Sequence, residues 1–172
     1  MNFNTDGLLP PEDYELTLDE LRESVLVRGP EVENPWDVKW RLFLVNNLEV
    51  LIQQLWNVGV DQIYIDGSFV EDKAHPNDID GYFECDLMEL ATGELERKLN
   101  ALDPYKVWTW DSSSRKTIGG LLKSNYRCGT DIVWNYTLIS GNPPESWTNM
   151  EMNSNFPGPL GKREIHFCQK AL

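Results

Sequence analysis

The chain has 172 residues, enough for one domain or for one domain with an extension. Hydrophobic residues make up 41%, which excludes wholesale disorder, and the net charge is −13, from 15 basic and 28 acidic side chains. Such a balance excludes a sequence-blind DNA coat, which needs a basic stripe to neutralise phosphates, and a polybasic membrane anchor.

The acidity is concentrated at the start. Residues 1–35 hold nine acidic side chains (Asp6, Glu12, Asp13, Glu15, Asp19, Glu20, Glu23, Glu31, Glu33) against Arg22 and Arg28, so −7 of the −13 lies there. No run approaches the roughly 18 apolar residues of a membrane-spanning helix, and Met1 to Asp6 carry neither the basic nor the apolar part of a signal peptide. Cys85, Cys128 and Cys168 are scattered and fit neither a disulfide framework nor paired zinc ligands. They predict reduced thiols in a cytoplasmic protein. With only His75 and His166, chemistry built on several imidazoles is excluded.

In chain order, residues 1–16 read as an extended lead-in. Thr17-Leu18-Asp19-Glu20 is a capping box opening a short helix to about Leu26, which Gly29-Pro30 ends. These residues form an acidic N-terminal extension, 1–34, ahead of a single domain, 35–172. The next helix is predicted over 35–58, with Asn34 as cap, Pro35 in the first turn and Gly59 as stop. Its apolar stripe is Trp40, Leu44, Leu48, Leu51 and Leu55, widened by Val45 and Ile52.

Two strands follow, Gln62 to Asp66 and Asp78 to Cys85. Asp86 caps a further helix with Leu87, Leu90, Leu95, Leu99 and Leu102 as its stripe, weakened by Gly93 and ended at Asp103-Pro104. Tyr105 to Trp110 reads as a strand and 111–120 as a Ser/Gly-rich loop, with Arg115-Lys116 as a solvated basic pair. A strand around Thr130 to Trp134 follows, then a surface loop over 141–163 and a last strand at Glu164 to Cys168. The expected class is α+β, a small mixed β-sheet with helices packed on one face.

The chemistry is concentrated in Tyr64-Ile65-Asp66-Gly67-Ser68, nine residues from Phe69 to Asn77, and Asp78-Ile79-Asp80. Alternation puts Asp78 and Asp80 on one face of a strand and Ile79 on the other. Adjacent carboxylates repel, and a divalent cation with a preference for hard oxygen ligands, such as Mg²⁺, removes the conflict. Gly67 lets the backbone approach a ligand, and Ser68 offers a hydroxyl and an amide to phosphate oxygens. The pattern suits a metal–triphosphate complex. His75, beside Pro76, reads as a loop residue.

Strand, Gly-Ser, a variable loop and Asp-x-Asp on the next strand resemble the signature of the nucleotidyltransferase superfamily, the DNA polymerase β-like fold. Gly67, Ser68, Asp78 and Asp80 match it position by position. The phrases Gly7-Leu8-Leu9-Pro10-Pro11 and Gly67-Ser68-Phe69-Val70 are similar to those of short bacterial and phage proteins with this fold. The resemblance implies transfer of a nucleotidyl group from an NTP to a protein or RNA acceptor, with release of pyrophosphate. It implies two Mg²⁺ ions held by Asp78, Asp80 and a third carboxylate from a later strand, for which Asp131 is the candidate and Glu84 a weaker one. Gly67, Ser68 and Lys73 would contact the nucleotide. Where compact antitoxin-type members often have an Arg-Gly pair just after Gly-Ser, this chain has Val70-Glu71-Asp72-Lys73. The alternative is a degenerate, antitoxin-like binding module of the same fold. Neither membrane association nor sequence-specific DNA binding is expected.

Overall fold

The computed structural model describes residues 1–30, 35–103, 108–109, 117–118, 121–124, 132–138 and 163–167. The N-terminal segment supplies strand β1 (Tyr14–Leu16) and helices α1 (Leu18–Glu23) and α2 (Val25–Arg28). The capping box forms: the Thr17 hydroxyl accepts from the Glu20 amide at 3.2 Å, and the Glu20 carboxylate accepts from the Thr17 amide at 2.8 Å. The predicted single helix is divided at Ser24, whose extended backbone ends α1. Gly29, at φ +84°, ends α2.

The long helix α3 spans Val38–Asn57, starting later than Pro35. Its cap is Asp37, whose carboxylate accepts from the Trp40 amide at 2.9 Å. Asn34 lies outside the described residues. The buried stripe contains Leu44, Val45, Leu48, Leu51, Ile52 and Leu55 as expected. It also contains Arg41, while Trp40 is only partly buried.

Strands β2 (Ile63–Asp66) and β3 (Ile79–Phe83) follow, with a single 3₁₀ turn over Gly67–Val70 between them. The helix after Asp86 is divided into α4 (Leu87–Ala91) and α5 (Glu94–Leu102), because Gly93 adopts φ +74°. Leu95 and Leu99 are buried, but Leu87 and Leu102 at the ends of the expected stripe are exposed. Most of the strand expected over 105–110 lies outside the described residues; Trp108 and Thr109 are described and are not in a strand. Trp108 is buried, and Asn100 bonds both its amide and its carbonyl.

Strands β4 (Thr117–Ile118) and β5 (Leu121–Ser124) form a hairpin in and beyond the expected loop. Strand β6 (Ile132–Leu138) runs further than predicted, with Thr130 and Asp131 outside the described residues, and β7 (Ile165–Phe167) is the expected last strand. Arg115, Lys116 and the expected loop up to residue 162 lie outside the described residues.

The described strands form one sheet in the order β1-β7-β2-β3-β6-β5-β4. β2 and β7 run parallel and the other pairs antiparallel, so the sheet is mixed and the class is α+β, with helices against one face. Ile63, Ile65, Ile79, Phe83, Ile165 and Phe167 join the α3 stripe in one apolar core. Leu9, Leu21, Leu26 and Val27 belong to the same core and β1 to the same sheet, so the acidic segment packs as part of one body. Arg22 fastens it further through Glu49 on α3, at 2.6 Å. No helix among the described residues is long and apolar enough to cross a membrane. Cys85 is a half-buried free thiol.

Gly29 and Gly93 both hold positive φ, but they differ in surroundings. A methyl at Gly93 meets nothing within 4 Å, whereas one at Gly29 would sit 2.6 Å from Trp36 Cγ. Gly93→Ala is predicted to cost about 1 kcal/mol, the conformational penalty alone. Gly29→Ala should cost about 3 kcal/mol, because overpacking adds to that penalty. Urea unfolding of both variants checks this; equal costs would show that Trp36 does not bear on Gly29.

Candidate functional site

The site is built where β2 ends and β3 begins. Along β2, Ile63 and Ile65 face the core, so Tyr64 and Asp66 fall on the other face. Along β3, Ile79, Gly81 and Phe83 are buried, leaving Asp80 and Tyr82 opposite. The antiparallel register pairs Asp66 with Asp80 and Tyr64 with Tyr82. The Gly-Ser turn and the Asp-x-Asp strand therefore meet at one sheet rim.

Gly67 is required there for two reasons. Its φ is +75°, and a methyl on it would run into Asp80 Oδ2, with Asp80 Cβ and Cγ 3.0 Å away. The Gly67 amide donates to Asp66 Oδ1 at 2.7 Å. Ser68 follows in the 3₁₀ turn, partly exposed.

Burial raises the Asp80 pKa to about 6, and the neighbouring charges of Asp78 and Asp66 push in the same direction. The rim thus gathers three carboxylates whose mutual repulsion a cation would relieve. Among the described residues, no group of three or more His, Cys, Asp or Glu side chains is arranged to hold a metal ion. A pair of carboxylates completed by water and phosphate oxygens is nonetheless a usual Mg²⁺ environment, so the donor chemistry of Asp78 and Asp80 fits that ion bound together with a triphosphate.

The loop from Gly67 to Asp78 is held from several sides. From α3, the buried Arg41 donates through Nη1 to the carbonyls of Leu26 (2.5 Å) and Phe69 (2.8 Å), and through Nη2 to those of Glu71 (3.3 Å) and Lys73. Its guanidinium lies 4.0 Å from the Trp36 ring and 5.0 Å from the Phe69 ring. The N-terminal segment covers the loop: Leu8 bridges Glu71, and the Asp72 amide donates to the Gly7 carbonyl at 2.7 Å. At the α3 cap, the Asp37 amide donates to the Ala74 carbonyl and Asp37 Oδ2 lies 2.9 Å from His75 Nδ1. His75 stacks on Trp40, whose indole N–H donates to the Pro76 carbonyl at 2.6 Å. His75 is thus a clamp between loop and helix.

The structure brings Gly67, Ser68, Asp78 and Asp80 together. Lys73 is exposed on the same loop, and its ammonium forms no ion pair among the described residues. Glu84 is exposed beyond the end of β3. Asp131 lies outside the described residues. It immediately precedes Ile132, whose partner is Phe83, while the β6 position facing Asp80 is Asn135.

Three features go beyond the sequence-based expectations. Asp66 stands in register with Asp80, and strand alternation in Tyr64-Ile65-Asp66 is a sufficient signal for it. Arg41 occupies a core position, legible from its three- and four-residue spacing to Leu44 and Val45. One register row behind the acids, Tyr82 stacks on Tyr64 (4.7 Å) and Tyr64 on His166 (4.8 Å), with His166 3.5 Å from Glu15. That row follows from cross-strand pairing, which the sequence alone does not specify. An open cleft of about 410 Å³, lined by Trp56, Asp61, Gln62, Arg163 and His166 among others, lies toward the opposite end of β2 from Asp66.

The model of a family of unknown function (DUF6932) matches residues 1–148, and the chain belongs to that family. No curated protein and no solved structure matches the chain.

The raised Asp80 pKa sets a sign for stability. Between an unfolded-state pKa of about 4 and the folded value of about 6, the native state holds a proton that the unfolded state has lost. Stability therefore falls as pH rises through this window. Asp80→Asn removes the penalty, so its Tm should exceed that of the wild type above pH 6, and the difference should fade toward pH 4. Thermal melts between pH 4 and 8 without divalent cations test this, and a gain independent of pH would contradict it.

Proposed function

We propose that this member of a family of unknown function is a metal-dependent nucleotidyltransferase, which moves a nucleotidyl group from an NTP to a protein or RNA acceptor and releases pyrophosphate. The observation that carries the reading is the packing of Gly67, without a side chain, against Asp80. It supports a Gly-Ser turn and an acidic pair acting on one ligand. The half-buried thiol of Cys85 fits a reducing, cytoplasmic setting.

Asp80 on β3 and Asp78 immediately before that strand offer hard oxygen donors and would hold Mg²⁺. When bound, Mg²⁺ neutralises triphosphate charge and lowers the pKa of an attacking hydroxyl. Because the Gly67 amide is already held by Asp66, phosphate oxygens fall to the Ser68 hydroxyl and amide. The ties on the following loop keep these donors in place, so the chain contributes position and electrostatics more than covalent chemistry.

For the third carboxylate the register favours Asp66, which faces Asp80, over Asp131, which precedes the partner of Phe83.

Incubation of the purified protein with Mg²⁺, α-labelled NTPs and a cell lysate should place label on protein or RNA. Asp78→Ala and Asp80→Ala should each abolish transfer with the fold intact by circular dichroism, and Asp66→Asn should lower it more than Asp131→Asn. Transfer that persists in the Asp78/Asp80 double variant would end the catalytic reading. Absence of any thermal shift with Mg²⁺ and each NTP would favour the antitoxin-like module.

A further inference from the structure

We infer that Arg41 is a positioning residue for the Gly67–Asp78 loop, a buried cation that fixes the backbone on which the candidate site is carried. What the loop binds rests on the nucleotidyl-transfer reading; how it is held rests on geometry alone.

Arg41 is completely buried on the apolar stripe of α3. Among the described residues its guanidinium forms no ion pair, and its bonds go to four backbone carbonyls. Three of these, Phe69, Glu71 and Lys73, alternate along the loop, so one side chain turns every second carbonyl inward over five residues. The planar fork matches this spread of acceptors, since one nitrogen bridges Leu26 and Phe69 and the other bridges Glu71 and Lys73. A lysine ammonium radiates its donors from one point and cannot span both pairs. The arrangement leaves Arg41 Nε, although buried, without a hydrogen-bond partner.

A leucine at this stripe position would suit the helix and the core. A buried cation without a bonded carboxylate is a costly alternative. What it secures is local, because three of its four bonds converge on the segment that starts beside Ser68 and leads to Asp78. The Trp36 and Phe69 rings both lie against the guanidinium, and Trp36 is itself anchored by its indole N–H on the Val27 carbonyl at 3.0 Å. The rings keep water from competing for the fork. Gly7 and Leu8 hold the other side of the same loop at Asp72 and Glu71.

The test compares wild type, Arg41→Lys and Asp80→Asn as full chains, by amide hydrogen exchange and by calorimetric titration with Mg²⁺-ATP. In Arg41→Lys, exchange from Phe69 to Ala74 should accelerate at least tenfold while α3 and β2 keep their protection, and Mg²⁺-ATP affinity should fall at least tenfold. Asp80→Asn should lose Mg²⁺-ATP binding with loop exchange unchanged, which separates ligand chemistry from loop order. Unchanged loop exchange in Arg41→Lys overturns the inference, and so does an equal loss of protection throughout the chain, the mark of a merely structural role. If Arg41→Lys does not fold, Trp36→Leu unroofs the guanidinium without removing it and must accelerate exchange in the same segment. If the wild type binds no nucleotide, the nucleotidyl-transfer reading falls, and loop exchange still decides the role of Arg41.

Discussion

The guanidinium of Arg41 joins three parts of the chain that are distant in sequence: α2 through Leu26, α3 through its own backbone, and the loop after β2 through Phe69, Glu71 and Lys73. Burial pulls its pKa down to about 9, and Asp72 opposes that shift, so it stays charged at neutral pH. Each buried carbonyl left without its donor costs about 1–3 kcal/mol, against a net stability of about 5–15 kcal/mol for a typical domain. No surface pair among the described residues is comparable; Arg28–Glu23 and Arg97–Glu94, both largely exposed, are in the class worth about 1 kcal/mol or less. Arg41 thus carries three of the ties on the loop, beside those from Gly7, Leu8, Asp37 and Trp40.

With the loop fixed, the two faces of the sheet play different parts. The inner face, through Ile63, Ile65, Phe83, Ile165 and Phe167, is fully buried and supplies the apolar stabilisation. The outer face has no such obligation and carries Glu15, His166, Tyr64, Tyr82, Asp66 and Asp80 in register. Asp80 shows what the outer face tolerates. A carboxylate held half-buried beside two others opposes folding at neutral pH, and the inner face must offset it. Placing the conflict at a strand end beside a glycine confines it to a few residues. Gly67 admits Asp80 at a distance no other residue would allow.

Much of this is legible from one chain because short-range physics governs it. The Thr17–Glu20 capping box, the apolar period of α3 and the alternation of buried Ile79 with Asp80 need only neighbouring residues, although β3 starts at Ile79 and leaves Asp78 just before the strand. Sequence and structure part where tertiary contacts override local pattern. Pro35 suits a helix start, but Asp37 caps α3 while also holding Ala74 and His75 of the β2–β3 loop. Gly93 is expected to weaken one helix and instead divides it in two, since its positive φ turns the chain between α4 and α5. His75 reads as an ordinary loop residue because Trp40 and Asp37, its partners, lie 35 or more positions earlier. Arg41 escapes a sequence reading because a charge is normally placed outside, although its spacing to Leu44, Val45 and Leu48 already sets it on the inner stripe.

The charge of −13 looks at first unsuited to a polyanionic substrate. Its distribution narrows the problem. More than half lies in the first 35 residues, a net figure that already includes Arg28, paired with Glu23, and Arg22, near Asp19. The repulsion relevant to the candidate site comes from Asp66, Asp78 and Asp80, at a rim where Lys73 is the only cationic residue between Gly67 and Asp80 apart from a protonatable His75. A bare triphosphate would meet like charge there. A triphosphate already carrying its divalent cation meets carboxylates that complete the cation's oxygen shell, and the local sign reverses. Under the nucleotidyl-transfer reading, the acidity thus becomes a selectivity device. On that reading the rim would disfavour free nucleotide and accept the metal complex, with Arg41 holding the backbone beneath and Lys73 the one cationic side chain on the loop besides His75.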